Sequence, residues 1–282
     1  MPFKPEYDVP PDRRAFELPG TNDVGCLLLH GFMGTPKTCR PLAEHLQAFG
    51  VSCLGPLLPG HGRFPDQLHK VPNQAWLDEA ESWYWRLREQ CQDLFIVGHS
   101  MGGIIGAYLA RKFGNVRGLV LLAPPYVVPD PRMKLMWFIR YVKPWFTPWH
   151  SRSLNSIARE RVHDFDPNID VDDPALQAWL AETTRFPTSA LDEMCKMAAL
   201  GRTLWPQLTL PVLVLQGGKD RATSPQTAQQ VYDHIKNGGK QIVTYADGGH
   251  ELLRPSSPFH QEVWARVREF IQAHTDTPLS AA

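Results

Sequence analysis

The sequence predicts an α/β fold in which a mostly parallel central sheet is flanked by helices. Short apolar runs recur along the 282 residues, and most of them precede a glycine-containing turn and a longer segment with helical periodicity. This alternation pauses after residue 125 and resumes at Val212. Strands that alternate with helices in this way form parallel sheets connected by crossover helices.

Six short apolar runs provide the predicted strands: residues 27–29, 51–54, 94–97, 119–122, 212–215 and 242–245. Between the second and third runs, apolar residues recur at three- and four-residue steps from Trp76 to Cys91, which predicts a helix buried along one face. A second helix is predicted over residues 103–113, because Gly114 follows it and glycine commonly terminates helices.

Residues 126–206 contain helical pieces separated by prolines and carry no pattern typical of a strand. Because the strands resume after this segment, we interpret it as a cap inserted into one domain. The core of that domain is then formed by residues 1–125 and 207–282, a length that one domain readily accommodates.

Composition excludes several classes of protein. The 29 basic and 29 acidic residues balance, which gives no reason to expect a nucleic-acid partner. The five cysteines are odd in number and form no Cys-x-x-Cys pair, which argues against a disulfide framework or a zinc site. Residues 1–20 lack the apolar run of a secretory signal, and no segment is long and apolar enough to span a bilayer. We therefore expect a cytoplasmic protein.

A nucleophile is predicted at Ser100, in the motif Gly-His-Ser-Met-Gly over residues 98–102. The motif lies between a predicted strand and a predicted helix, which is the context of a Gly-x-Ser-x-Gly nucleophile elbow. Glycine is needed on both sides because a Cβ atom would collide with the neighbouring strand or helix. The alternative is a glycine-rich turn that only packs the helix against the strand.

A serine hydroxyl needs a base and an orienting acid, which follow the serine along the chain in this type of fold. Asp220 and His250 each follow the end of a predicted strand, where α/β sheets collect their sites. We predict Asp220 as the acid and His250 as the base. Asp247 and Glu251 lie close to His250 in sequence and are the alternative carboxylates.

Two backbone N–H groups should stabilise the oxyanion, one from the residue after the nucleophile and one from the loop after an earlier strand. These are the N–H groups of Met101 and Phe32, although residues 30–34 could also be an ordinary strand-ending turn. His30 and His61 are expected to brace loops and His99 to pack beside the nucleophile, with a direct chemical role as the alternative for each.

These residues resemble those of the bacterial carboxylesterase and monoacylglycerol lipase branch of the α/β-hydrolases. The similarity covers roughly residues 15–272 and lies in 27–34 (Leu-Leu-Leu-His-Gly-Phe-Met-Gly), 59–62 (Pro-Gly-His-Gly), 98–103 (Gly-His-Ser-Met-Gly-Gly), Asp220, Gly249-His250 and, more weakly, 184–191. The resemblance implies an α/β-hydrolase fold and hydrolysis of carboxylic esters without a metal or cofactor, with Phe32 and Met101 as oxyanion donors.

The predicted cap contains a basic and aromatic segment, residues 131–159, without any Asp or Glu. We favour a packed cap whose aromatic residues line an acyl channel. The alternative is a surface that lies on anionic lipid headgroups. The apolar content predicts an apolar acyl group, with candidate contacts from Met133, Met136, Trp137 and Trp145.

The leading prediction is a serine hydrolase that cleaves short- to medium-chain esters or monoacylglycerols. The same motifs also suit acyl transfer, hydrolysis of C–C or peptide bonds, and a ligand-sensing protein with little turnover. The sequence makes no prediction of the oligomeric state.

Overall fold

The computed structural model describes residues 4–127, 135–150, 155, 158–159, 162–163 and 168–280. Its strands are β1 (Phe16–Leu18), β2 (Val24–Leu29), β3 (Ser52–Gly55), β4 (Asp93–His99), β5 (Gly118–Leu122), β6 (Trp145–Phe146), β7 (Phe186–Pro187), β8 (Val212–Gly217) and β9 (Lys240–Tyr245). Its α-helices are α1 (Arg40–Gln47), α2 (Asn73–Arg88), α3 (Met101–Phe113), α4 (Met136–Val142), α5 (Gln177–Thr183), α6 (Thr188–Leu204), α7 (Pro225–His234) and α8 (His260–Ala273).

The central sheet has seven strands in the order β1-β3-β2-β4-β5-β8-β9. β1 is antiparallel to β3, and the other neighbouring pairs are parallel. The predicted α/β fold is confirmed, and each of the six apolar runs lies in or overlaps a strand of this sheet. The sequence prediction missed β1, a three-residue edge strand with too few apolar residues to produce a recognisable run.

Both faces of the sheet are covered, and neighbouring residues of one strand pack into different layers. Leu27 and Leu29 of β2 join a cluster with α2 and α3, whereas Cys26 and Leu28 join a cluster with α1 and α8 on the opposite face. A parallel strand buried on both faces is apolar throughout, which explains why these strands were recognisable as continuous runs.

The segment between β5 and β8 is mainly helical but also contains one short strand pair, for which the sequence carries no pattern. β6 and β7 form a two-stranded antiparallel pair, in which Trp145 lies opposite Pro187 and Phe146 opposite Phe186. The rings of Phe146 and Phe186 pack 5.3 Å apart. Strands of two residues have no periodicity of their own, because their pairing is created by contacts between distant parts of the chain.

The last helix of this segment, α6, packs against the core beside the central sheet. Its Met194 and Met197 belong to the same buried cluster as Ile104 and Ile105 of α3. The division of the chain into core and cap at residues 126 and 206 stays a prediction. In the described part of the chain, no helix combines the length and the apolar content needed to cross a bilayer.

Candidate active site

Ser100 lies at the sharp turn between β4 and α3, with φ 53° and ψ −118°. Positive φ is unfavourable for a residue with a Cβ atom, so such a turn persists only when its surroundings hold it. The Ser100 N–H donates to the Leu122 carbonyl at 2.7 Å, and the Ser100 carbonyl accepts from the Gly103 N–H at 2.9 Å. These bonds join the turn to the end of β5 and to the first turn of α3.

The two glycines that flank the serine have no room for a side chain. A Cβ atom at Gly98 would lie 2.4 Å from the Gly102 carbonyl oxygen, and one at Gly102 would lie 2.2 Å from the Leu29 carbonyl oxygen. Both obstacles are backbone atoms, which cannot rotate aside as a flexible side chain can. The steric argument made from the sequence motif therefore applies to both positions.

The Gly102→Ala substitution is expected to lower the free energy of unfolding by about 3 kcal/mol or more, because α3 must separate from β2 to admit the methyl group. Urea unfolding followed by tryptophan fluorescence measures this loss. Gly114→Ala is the control, since Gly114 has φ +70° but the added Cβ would meet no atom within 4 Å apart from its neighbours along the chain, and only about 1 kcal/mol of backbone strain is expected there. Equal losses in the two variants would contradict the steric explanation.

Asp220 and His250, predicted from their positions after two strands, are in direct contact. The imidazole Nδ1 lies 2.7 Å from Asp220 Oδ2. The Ala222 and Thr223 N–H groups donate to the other oxygen, Oδ1, at 2.8 and 2.9 Å. The Gln216 amide donates to Oδ2 at 3.1 Å, and the Thr223 hydroxyl lies 3.0 Å from the same oxygen. Both carboxylate oxygens are therefore satisfied inside the protein.

Burial by itself would raise the pKa of Asp220, but its partners more than offset that effect. The hydrogen bond and positive charge of His250, together with the N–H groups of Thr223 and Ala222, hold the pKa of this carboxyl below its ordinary value. Asp220 is therefore a carboxylate at neutral pH. Asp220 faces the Nδ1 atom of His250. The other ring nitrogen, Nε2, therefore lies on the side of the ring away from the acid.

The two alternative carboxylates have other partners. Asp247 forms an exposed ion pair with Lys219 at 2.6 Å. Glu251 accepts a hydrogen bond from Arg254 at 3.1 Å. Asp220 Oδ2 lies at hydrogen-bond distance from the imidazole Nδ1, which is the contact expected of the orienting acid.

His99 supports His250 from the other side. Its Nε2 atom lies 3.1 Å from the His250 carbonyl oxygen, and the two rings are 4.6 Å apart. Burial lowers the pKa of His99, and the negative charge of Glu251 offsets this effect only in part. The ring is therefore neutral, and its Nε2–H group donates to the His250 carbonyl. These contacts fit the packing position predicted for His99.

The loop that contains Phe32 lies beside the nucleophile. A Cβ atom at Gly31 would be 3.1 Å from the Ser100 Cβ. His30 braces this loop, because its Nδ1 lies 2.9 Å from the Gly31 carbonyl and its Nε2 accepts the Leu58 N–H at 3.2 Å. Burial holds the pKa of His30 well below its ordinary value, so the ring is neutral. A neutral imidazole has one donor nitrogen and one acceptor nitrogen, which matches these two contacts.

His61 and Met101 complete the surroundings of this loop. The His61 ring lies 4.9 Å from the His30 ring, and its Nδ1 lies 3.1 Å from the Pro59 carbonyl. Met101 is the first residue of α3, so its N–H is one of the four at a helix start without an acceptor in the helix. Met101 directly follows Ser100, and Phe32 directly follows Gly31, which approaches Ser100. The role of their N–H groups as oxyanion donors stays a prediction.

Two polar residues of the site, Gln216 and Thr223, were missed by the sequence analysis. Gln216 is fully buried, and it is the one amide in the otherwise apolar run of β8 before Gly217. Thr223 lies three residues after Asp220, a spacing that returns its side chain to the carboxylate. A polar residue in a buried strand was a usable signal for Gln216, but nothing in the sequence distinguished Thr223 from other loop threonines.

The predicted substrate contacts in the cap have different surroundings. Met136 is buried, and Trp145 stacks on His69 with ring centres 5.1 Å apart. Trp137 is 62% exposed, and the substrate contacts expected from the cap stay a prediction. Met133 lies outside the described residues.

One group in the described part of the chain could offer ligands to a metal ion, namely His99, His250 and Glu251, whose ligand atoms lie within 4.8 Å of one another. Two of these side chains have competing contacts. His99 Nε2 meets the His250 carbonyl, and His250 Nδ1 meets Asp220. The prediction of a metal-free site therefore stays a prediction.

A family model described as serine aminopeptidase, S33, matches residues 21–256. The chain belongs to this family of α/β-hydrolases. This S33-family chain is 27% identical over 227 residues to a thermostable monoacylglycerol lipase of Bacillus sp. (strain H-257), an alignment that covers 80% of this chain and 82% of the relative. It is 22% identical over 245 residues to a carboxylesterase of Bacillus subtilis (strain 168), with 86% and 91% covered.

The fold of this S33-family chain also matches solved structures. One, from work on the metagenome-derived lipolytic enzymes LipS and LipT, superimposes with a TM-score of 0.77 at 21% identity, over 95% of this chain and 100% of that chain. A soluble variant of monoglyceride lipase from Saccharomyces cerevisiae superimposes with a TM-score of 0.72 at 16% identity, over 98% and 99%. The resemblance predicted from the motifs is confirmed.

Proposed function

We propose that the protein is a carboxylic ester hydrolase that cleaves short- to medium-chain acyl esters or monoacylglycerols through an acyl-enzyme on Ser100. The observation that carries this proposal is the 2.7 Å contact between Asp220 Oδ2 and His250 Nδ1 in a chain whose Ser100 occupies a strained elbow. Membership of the S33 family and the names of its lipase and esterase relatives support the reaction class.

In the proposed acylation step, His250 Nε2 accepts the proton of the Ser100 hydroxyl while Oγ attacks the ester carbonyl. The carbonyl oxygen becomes an oxyanion, and the N–H groups of Phe32 and Met101 donate to it. Asp220 holds the imidazole in place and stabilises its positive charge. The C–O bond to the alcohol then breaks, and the alcohol leaves with the proton from His250.

Deacylation repeats these steps with water. His250 accepts a proton from a water molecule whose oxygen attacks the acyl carbonyl, and the same two N–H groups receive the second oxyanion. When the ester bond to Ser100 breaks, Oγ takes the proton back from His250. The carboxylic acid is released, and the enzyme returns to its starting protonation state.

Kinetics with p-nitrophenyl acetate, butyrate, octanoate and palmitate test the substrate class, beside monoacylglycerols and aminoacyl p-nitroanilides. The expected result is a maximum of kcat/KM at butyrate or octanoate and little cleavage of the anilides. Preferred cleavage of the anilides would replace this proposal with an aminopeptidase activity. Labelling of Ser100 by a fluorophosphonate, mapped by mass spectrometry, tests the acyl-enzyme. Labelling without turnover of any ester would favour the sensing alternative.

A second part of the proposal concerns the face of α4. Five of the eight exposed large apolar side chains in the described part of the chain lie within residues 135–142: Leu135, Trp137, Phe138, Tyr141 and Val142. The aromatic residues of this helix are exposed, whereas Trp149 of the same segment is buried in an apolar cluster with Ala158, Val162, Val171 and Leu180. We propose that this face contacts an anionic membrane, because Lys143 is exposed beside it and residues 131–159 contain no acidic residue.

The variant Trp137→Ser/Tyr141→Ser is expected to weaken binding to phosphatidylglycerol vesicles about tenfold or more, because two exposed apolar rings no longer enter the interface. Co-sedimentation at low ionic strength measures the binding. Trp85→Ser is the matched control, since Trp85 is half exposed near the C-terminal end of α2 and lies outside residues 135–142. Absence of binding by the unmodified protein, or equal weakening by the control, would contradict this contact.

The cytoplasmic location also stays a proposal. It rests on the cysteine pattern, and four of the five thiols, Cys26, Cys39, Cys53 and Cys91, are buried. Burial raises the pKa of Cys39 to about 12. Because the thiolate is the form that reacts, such a thiol behaves as a small apolar group.

A further inference from the structure

We propose that Thr223 is a positioning residue whose hydroxyl group aligns the acid and the base with the strand end that holds the nucleophile. This inference rests on the proposed function, and it assigns a role to a residue that the reaction steps do not name. Thr223 lies in the loop after β8 and is almost completely buried. Its side chain is therefore shielded from water and committed to its protein neighbours.

The Thr223 hydroxyl touches three groups of the site at hydrogen-bond distance. Oγ1 lies 3.0 Å from Asp220 Oδ2, 3.0 Å from His250 Nδ1 and 3.1 Å from the Ala123 carbonyl oxygen. The Thr223 N–H also donates to Asp220 Oδ1 at 2.9 Å. One residue thus contacts both oxygens of the acid and the nearer nitrogen of the base.

The supply of protons in this cluster restricts its arrangement. A carboxylate and a carbonyl only accept, so the single Thr223 hydroxyl proton goes to Asp220 or to Ala123. A lone pair of Oγ1 then faces His250 Nδ1. The Nδ1–H group donates mainly to Asp220 and, as the weaker branch of a bifurcated hydrogen bond, also to Oγ1. This pattern favours the proton on Nδ1 and leaves Nε2 unprotonated, which is the form a general base needs.

The Ala123 carbonyl ties the loop to the nucleophile. Ala123 directly follows β5 and has φ +48°, a strained value for alanine. Its N–H donates to the Leu215 carbonyl of β8 at 2.9 Å, and the preceding residue, Leu122, accepts the Ser100 N–H at 2.7 Å. A short chain of bonds therefore runs from Ser100 through the end of β5 to Thr223, and from there to Asp220 and His250.

The test compares Thr223→Val, which keeps the shape but removes the hydroxyl, with Thr223→Ser, which keeps the hydroxyl. Thr223→Val is expected to lower kcat about tenfold or more, the cost of one buried hydrogen bond, with KM changed less than about twofold. Thr223→Ser should recover most of the lost activity. Thr227→Val is the matched control, because Thr227 is equally buried and bonds to Ser224 outside the cluster.

The pH profile distinguishes the proposed positioning role of Thr223 from a purely structural role. Without the hydroxyl, the negative charge of Asp220 is less dispersed and attracts a protonated imidazole more strongly. The acid limb of kcat/KM, which reports protonation of His250, is therefore expected to move to higher pH by about half a unit. His99 and Glu251 also adjoin His250, but they are unchanged in both variants and cannot produce a difference between them.

A proton NMR measurement keeps this test independent of turnover. The His250 Nδ1 proton is expected to shift or exchange faster in Thr223→Val and to be unchanged in Thr227→Val. If the unmodified protein cleaves no ester, the proposed function fails, whereas a selective change of this proton would still support the role of Thr223. If Thr223→Val matches the control in kcat, in the acid limb and in the Nδ1 signal, the positioning role is overturned. A lower kcat with an unmoved acid limb and signal overturns it as well.

Discussion

Replacing Ser100 with alanine is expected to lower kcat for ester hydrolysis by about a million-fold, the loss typical of a serine hydrolase that loses its nucleophile. The covalent route closes because no oxygen remains to attack the carbonyl. The proposed oxyanion donors, at Phe32 and Met101, are backbone groups that the substitution leaves in place, so a small residual rate over water is expected. Hydrolysis of p-nitrophenyl butyrate by the purified variant measures the loss.

The fold should survive this substitution. Alanine adopts the strained φ of Ser100 at a similar cost, and the bonds from Ser100 to Leu122 and Gly103 use backbone atoms only. Circular dichroism and thermal unfolding of Ser100→Ala provide the control. A folded variant that retains more than about one hundredth of the activity would show that another residue carries the chemistry.

Replacing Asp220 with asparagine is expected to lower kcat at neutral pH by about ten-thousand-fold, the scale of a triad acid changed to its amide. A carboxylate only accepts hydrogen bonds, whereas the NH₂ group of an asparagine donates. Facing His250 Nδ1, that group would draw the ring proton to Nε2, the nitrogen that must accept the Ser100 proton. Steady-state kinetics across pH measure the effect.

Asp247→Asn is the matched control for this prediction. Asp247 is also an aspartate close to His250 in sequence, but its carboxylate is exposed and paired with Lys219. A change in kcat of less than about twofold is expected, since exposed ion pairs contribute little. A larger loss in Asp247→Asn than in Asp220→Asn would transfer the orienting role to Asp247.

Much of the fold was predictable because its signals are local. Five strands of the parallel sheet, β2, β3, β4, β5 and β8, are buried on both faces, so each contains a short apolar run that is recognisable without knowledge of the neighbouring strands. The elbow was predictable for a similar reason, because the glycines at 98 and 102 are imposed by backbone atoms of the turn and of β2. The order of Ser100, Asp220 and His250 along the chain then limited the choice among eleven histidines.

Other features depend on contacts between residues far apart in the chain. β6 and β7 are two residues long and exist because Phe146 meets Phe186. The exposure of Trp137 depends on which side of α4 meets the rest of the protein, and an aromatic residue has the same identity whether it is packed or exposed. The amino-acid composition of this segment therefore could not show whether its aromatic residues are packed inside the cap or exposed on its surface.

The sequence by itself determined the type of sheet, the sharp turn at Ser100 and the candidate acid and base, since these follow from local sterics and from the order of residue types. The tertiary structure decided which carboxylate faces the imidazole, which aromatic residues of the cap are exposed and what Thr223 touches. Thr223 and the Ala123 carbonyl are 100 residues apart and meet at 3.1 Å. Only the folding of the sheet, which brings the ends of β5 and β8 together, creates that contact.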